Sequence, residues 1–237
     1  MHTRHCAVAG VVLAVLALSA CSTGPQPRPG SAASGRVPLE RLRDGLLTQN
    51  RLPQGFRLNT EEVNSTTTRP PYTPSTVPIA AMPCKELGVD SFMTTHAPPA
   101  KDVAVGVERT PVGDDDLGWF GQEVLDRYAP GQAAAVMDAI RGAAGRCASY
   151  TSTLVDGTQL QETASVTAAK VPTDDSLLLH LTSTFPEDGT TFVKVTAFAR
   201  VGDVILMVQH AAVDTASSDT ETVLTAAVTA YRSAAGG

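Results

Sequence analysis

The most definite chemistry in this chain belongs to Cys21. It closes the tetrapeptide Leu18-Ser19-Ala20-Cys21, which follows a short basic start (Arg4) and an apolar run from Ala7 to Leu18 broken only by Gly10. That run is too short to cross a bilayer as a helix, which takes about 20 residues. It fits the apolar core of a secretory signal, about 7–15 residues long. Small residues followed directly by cysteine form a lipobox, in which the thiol takes up a diacylglyceryl group and the leader is cut away. Residues 1–20 therefore read as a lipoprotein signal peptide, and Cys21 as the lipidation site, carrying palmitate-type chains. Two acyl chains, at about 0.8 kcal/mol per buried methylene, hold a protein stably on a membrane. The expected location is the extracytoplasmic face of the cell membrane.

Cys6 leaves with the leader, so two further cysteines remain, Cys84 and Cys147. Outside the membrane a pair of thiols in one domain forms a disulfide as a rule. A loop of this length contributes roughly 4 kcal/mol in the chain-entropy description. The alternative, a redox pair or a metal site, lacks a C-x-x-C spacing and clustered histidines.

Other reactive side chains are scattered. There is no G-x-S-x-G elbow, no H-E-x-x-H, no P-loop and no G-x-G-x-x-G. Of His96, His180 and His210, only His180 alternates onto a polar strand face, which makes it the best candidate base of the three. Asp114, Asp115 and Asp116 are adjacent and cannot all aim at one ion, so they read as a solvated turn, without the spaced ligands of a calcium loop. No metal, cofactor or catalytic residue is expected. The best binding patch lies on a hairpin formed by strands 191–201 and 204–213 about Gly202-Asp203, where glycine suits a II′ turn. If Val201 faces Val204, one side carries Val193, Val195, Ala197, Ala199, Leu206 and Val208. The other carries Phe192, Lys194, Thr196, Phe198 and Arg200 with Ile205, Met207 and Gln209. Rings among a few polar tips are what a small-molecule or lipid-headgroup site is built from. Phe192, Lys194, Thr196, Phe198, Arg200, Gln209 and His180 are therefore the candidate ligand-binding residues. The competing reading is a half-exposed sheet face with charge on its rim.

The elements that must position these residues follow from periodicity and punctuation. Pro38 to Asn50 reads as a helix, with Leu39, Leu42 and Leu46 on one side. A strand is predicted over 57–63, and the Thr-, Ser- and Pro-rich stretch 64–78 reads as an exposed loop. Pro83 to Leu87 opens a short helix. Val103–Val112 and Trp119–Tyr128 read as a strand and its return, and Gln132–Arg146 as a helix whose apolar stripe continues to Cys147. Strands follow over 163–171, 177–185 and the hairpin. Ser218-Asp219-Thr220-Glu221 is a capping box opening a last helix to about Ala234. Helices packed on the apolar side of a largely antiparallel sheet make an α+β fold. Residues 21–36, rich in Pro and Gly, form a flexible tether that reaches roughly 20 Å as a coil. Residues 37–237 form a single domain.

Lys and Arg number 18 against 24 Asp and Glu, a net charge of −6. An acidic domain gains nothing from phosphates, which excludes nucleic acid as a partner. Without a polybasic patch, membrane attachment rests on the lipid. Aromatics are 5% of the chain, so the core is aliphatic.

The layout resembles the extracellular sensor-domain family of actinobacterial Ser/Thr protein kinases, also found as free-standing lipoproteins. The resemblance covers about Leu39 to Ala234. It is carried by Leu52-Pro53-Gln54-Gly55-Phe56, the Cys84 helix, Gly118-Trp119-Phe120-Gly121-Gln122-Glu123-Val124, Tyr128, the Val136–Ile140 helix ending at Cys147, and Arg200-Val201-Gly202-Asp203-Val204. It implies an α+β domain with a groove for an unidentified ligand. Members typically carry two disulfides; this chain can form only one in its globular part, and it has no kinase domain. The expected function is a non-catalytic, membrane-anchored, sensor-like module that binds a small-molecule or envelope-lipid ligand, or a membrane protein partner. Carriage of an envelope lipid or glycolipid in an apolar cavity is the alternative, and a hydrolase a more distant one.

Overall fold

Eight strands pair edge to edge through every neighbour in antiparallel register, in the order β1-β2-β3-β8-β7-β6-β5-β4. They are β1 (Phe56–Asn59), β2 (Lys101–Arg109), β3 (Trp119–Arg127), β4 (Tyr150–Thr153), β5 (Gln159–Thr167), β6 (Asp175–Thr184), β7 (Thr191–Val201) and β8 (Val204–His210). Three helices accompany them: α1 (Phe92–His96), α2 (Gln132–Arg146) and α3 (Ser217–Ala235). The class is α+β, as the patterning predicts. The computed structural model describes residues 37–59, 73–114, 116–210 and 217–236. Cys21, the leader and the tether lie outside them, as does most of the Thr-rich stretch.

The hairpin register is the predicted one: Val201 faces Val204, and Gly202 takes the positive φ (61°) that a tight primed turn requires. On one face Val195, Ala197, Ala199, Leu206 and Val208 pack against Val223, Leu224, Ala227 and Val228 of α3. The helix cover does not stop there. On the opposite face Phe198, Ile205 and Met207, with Leu177 and Leu179 of β6, pack against Val136, Met137 and Ile140 of α2 and against Phe92 and Met93 of α1. Helices therefore lie on both faces, not one. The side read as mixed carries too much apolar surface to be left in water, and α2 is tied there by the Cys84–Cys147 disulfide, with Cα atoms 5.5 Å apart.

Two local expectations change. The helix predicted over 38–50 is two 3-10 turns, Leu39–Gly45 and Gln49–Arg51, with Arg41 off helical geometry (φ −106°, ψ 15°). This segment crosses α3 so closely that a Cβ on Gly45 would sit 2.7 Å from the Tyr231 ring. Contact with α3 thus overrides the local leucine period. β4 escaped prediction because a four-residue strand of Tyr, Thr and Ser has no apolar alternation. At α3, Glu221 accepts the backbone N–H of Lys170, and Asp219 pairs with Arg109. These acids tie the helix start to the sheet and the loop after β5.

Candidate functional site

The predicted hairpin patch is broken into three parts. Phe192, Lys194, Thr196, Phe198, Arg200 and Gln209 do share a face, since Thr196 stands opposite Gln209 and Phe198 opposite Met207. In the middle, however, Phe198 is fully buried, edge-on to Phe92 with centroids 6.3 Å apart, and Thr196 and Gln209 are buried beside it. At the turn end, Arg200 donates to the carbonyl of Gly202 at 3.3 Å and lies 3.5 Å from Asp174. Phe192 and Lys194 reach open space at the other end, and Arg200 is partly exposed at the turn. The α1 segment and α2 lie over the middle, so Thr196, Phe198 and Gln209 are core rather than a ligand surface.

His180 does not belong to the patch. It stands opposite Val195, and cross-strand partners share a face, so it lies on the α3 side. Its Nε2 is 3.0 Å from the Thr167 hydroxyl, and desolvation lowers its pKa below the ordinary histidine value, which favours a neutral ring. Among the described residues no carboxylate orients that ring. His96 is buried and its Nδ1–H donates to the Val77 carbonyl at 2.7 Å, with Nε2 at 2.7 Å from Glu86. His210 stacks on Trp119, centroids 5.4 Å apart. The two rings serve packing on opposite sides of the sheet.

Phe192 and Lys194 open onto a groove of about 430 Å³ at the free end of strands β4 to β7. Its walls are mainly apolar, with Leu160 from β5, Leu181 from β6, Phe185 just beyond β6, Val89 from the loop after Cys84, and Leu154 at the lip. Phe185 and Phe192 meet edge to face at 5.7 Å. Lys194 is held back from the groove centre: its ammonium donates to the carbonyl of Gly88 at 2.9 Å and pairs with Asp90. The floor carries one buried acid, Glu162, 9% exposed. Ser152 Oγ donates to its Oε1 at 2.8 Å and Ser183 Oγ to its Oε2 at 2.6 Å. Register stacks the set: Tyr150 stands opposite Glu162, Glu162 opposite Ser183, and Ser183 opposite Phe192. Burial and the Glu162 charge push the Tyr150 hydroxyl up to about 12, so it stays protonated. Sequence reading missed Glu162, Ser152 and Ser183. They sit on three strands, and a polar residue alternating outward on a strand looks the same whether the space beyond is solvent or a groove.

A second group of charges lies inside the sheet centre. Glu123 is fully buried; its Oε2 accepts the Leu47 N–H at 2.8 Å, and its Oε1 has no partner among the described residues. Desolvation raises its pKa to about 8. Asp126, on the other face and facing Asp102, is raised to about 8 by desolvation and by that neighbouring charge. Arg127 donates to the carbonyl of Val37 at 2.6 Å and to the Tyr231 hydroxyl at 3.2 Å. Glu123 and Arg127 fasten the first described segment across β3 and α3, whereas both carboxylate oxygens of Asp126 lack a hydrogen-bond partner among the described residues. They face no cavity described here, and we assign them to the fold.

Among the described residues no three His, Cys, Asp or Glu side chains gather to hold a metal ion, and no helix is long and apolar enough to cross a membrane. No family model, curated protein or solved structure matches the chain.

Proposed function

We propose that this protein is a lipid-anchored, extracytoplasmic, non-catalytic binding module of the sensor-like kind, and that the groove at the free end of β4–β7 is its ligand site. The observation that carries this reading is the groove itself. A mainly apolar hollow of about 430 Å³ with a few convergent polar groups has the size and make-up of a small-molecule site. Val37, the first described residue, is held by Arg127 at the end of β3. β3 and β7 both pair antiparallel with β8 and so run the same way, which puts Phe192 and Lys194, near the start of β7, at the opposite end of the sheet. The groove is open to a soluble ligand or to a membrane protein partner that reads the ligand's presence.

The apolar walls also favour a second reading, carriage of an envelope lipid or glycolipid, with an acyl chain lying along Leu160, Leu181 and Phe192. Native mass spectrometry on the chain purified from its own envelope separates the two. A small retained mass, lost on denaturation and absent from a Leu181→Arg variant, is the expected result. A lipid-sized mass would favour the carrier. A retained mass unaffected by Leu181→Arg would place the ligand elsewhere.

A further inference from the structure

We infer that the groove selects a ligand that puts a primary ammonium against Glu162 and an apolar body against Phe192 and Leu181; the inference rests on the groove being the ligand site. Glu162 is nine-tenths buried at the groove floor, and among the described residues no Lys, Arg or His forms an ion pair with it. Lys194, a cation on the same face, is spent on Asp90 and the Gly88 carbonyl. Lys85, the other cation on the groove, lies on the exposed rim, where water and salt screen it.

A buried carboxylate without a countercharge is costly, and the cost is relieved by a cation that hydrogen-bonds to it. The two serine hydroxyls do not exhaust its capacity. An ionised carboxylate offers about four lone-pair positions, and Ser152 and Ser183 occupy one on each oxygen. Both serine donors come from neighbouring strands, in the plane of the sheet, and they aim the carboxylate without neutralising it. A compact donor cation arriving from the groove would complete the set. An ammonium, with three donors and no acceptor, matches an acceptor-only group. Lined by the Phe185–Phe192 pair, the space around it suits a ring or a short alkyl body.

The test uses the full chain held in lipid nanodiscs, with empty nanodiscs as blank, and four water-soluble probes followed by isothermal titration calorimetry: 2-phenylethylamine, its N-trimethyl analogue, 2-phenylethanol and 3-phenylpropionate. The expected order puts the primary amine first, at least tenfold tighter than the propionate and several-fold tighter than the trimethyl analogue, which has the charge without the donors. Glu162→Gln should weaken the amine by about tenfold or more, as loss of a charge-assisted hydrogen bond does, and leave the alcohol within about twofold. Propionate binding as well as the amine, or an amine affinity unchanged in Glu162→Gln, would overturn the ammonium assignment. The groove itself would still stand if Leu181→Arg abolished alcohol binding. Failure of every probe to bind the unaltered chain would overturn the groove reading, and this inference with it. The probe order on the unaltered chain decides the matter even where Glu162→Gln does not fold.

Discussion

The backbone N–H of Leu47 donates to the Glu123 carboxyl at 2.8 Å, joining positions 76 residues apart in sequence. The contact ties the first described segment to the third strand in a place that water does not reach. It also sets a pH dependence. Burial raises Glu123 from its ordinary 4.5 to about 8, so between these values the folded chain holds a proton that the unfolded chain has lost. Stability from this group is full below about pH 4.5 and falls as pH rises through about 8; Asp126 acts in the same direction. We expect Tm, followed by circular dichroism, to decline by several degrees from pH 5 to pH 8, and Glu123→Gln to flatten part of that slope. A decline no steeper in the unaltered protein than in Glu123→Gln would show that Glu123 folds in ionised.

The disulfide makes a separate prediction. Cys84 and Cys147 close a long loop and pin α2 over Phe198. Cys84→Ser or Cys147→Ser should cost about 4 kcal/mol, which for a domain of this size lowers Tm by roughly 10 °C. Thermal melts with and without reductant check it: the unaltered chain under reductant should fall to the level of the variants.

Phe198 lies at the centre of what looked, by alternation, like a partly exposed face. Phe198→Ala should destabilise by about 3–5 kcal/mol through lost burial and the cavity left behind, whereas Phe192→Ala, 39% exposed, should cost about 1 kcal/mol. Urea titrations of the two variants measure the difference. Equal effects would mean that α1 does not cover the hairpin as described.

Anchoring through Cys21 is tested in the cell. If Cys21 carries the diacylglyceryl group as proposed, Cys21→Ala removes its acceptor thiol, and the protein should move from the membrane to the soluble extracytoplasmic fraction on fractionation. Full retention in the membrane would end the lipoprotein assignment.

Much of the fold was legible in the sequence, for local reasons. The α2 boundaries, the β2–β3 return and the Val201–Val204 register each depend on signals a few residues apart: a glycine or proline stop, a two-residue turn, a clean alternation. The pairing of Cys84 with Cys147 follows from there being no other partner in the domain. What the sequence could not convey was which strands meet. β3 pairs with β8 across some eighty residues, and only that pairing joins the two halves of the sheet.

The candidate site divides the same way. Phe192 and Lys194 were found because the hairpin that carries them is local. His180 was misplaced because alternation tells which residues of one strand share a face, while matching the faces of two strands needs their register. Thr196, Phe198 and Gln209 had the composition of a binding patch and became core once α1 and α2 came down on them. Glu162, Ser152 and Ser183 became a site only when three strands aligned. Residue order alone carries the elements, the turn chemistry and the expectation of a lipid address at Cys21. Tertiary structure decides which polar side chains end in a groove, because burial depends on what packs above a strand, and that packing is made by distant parts of the chain.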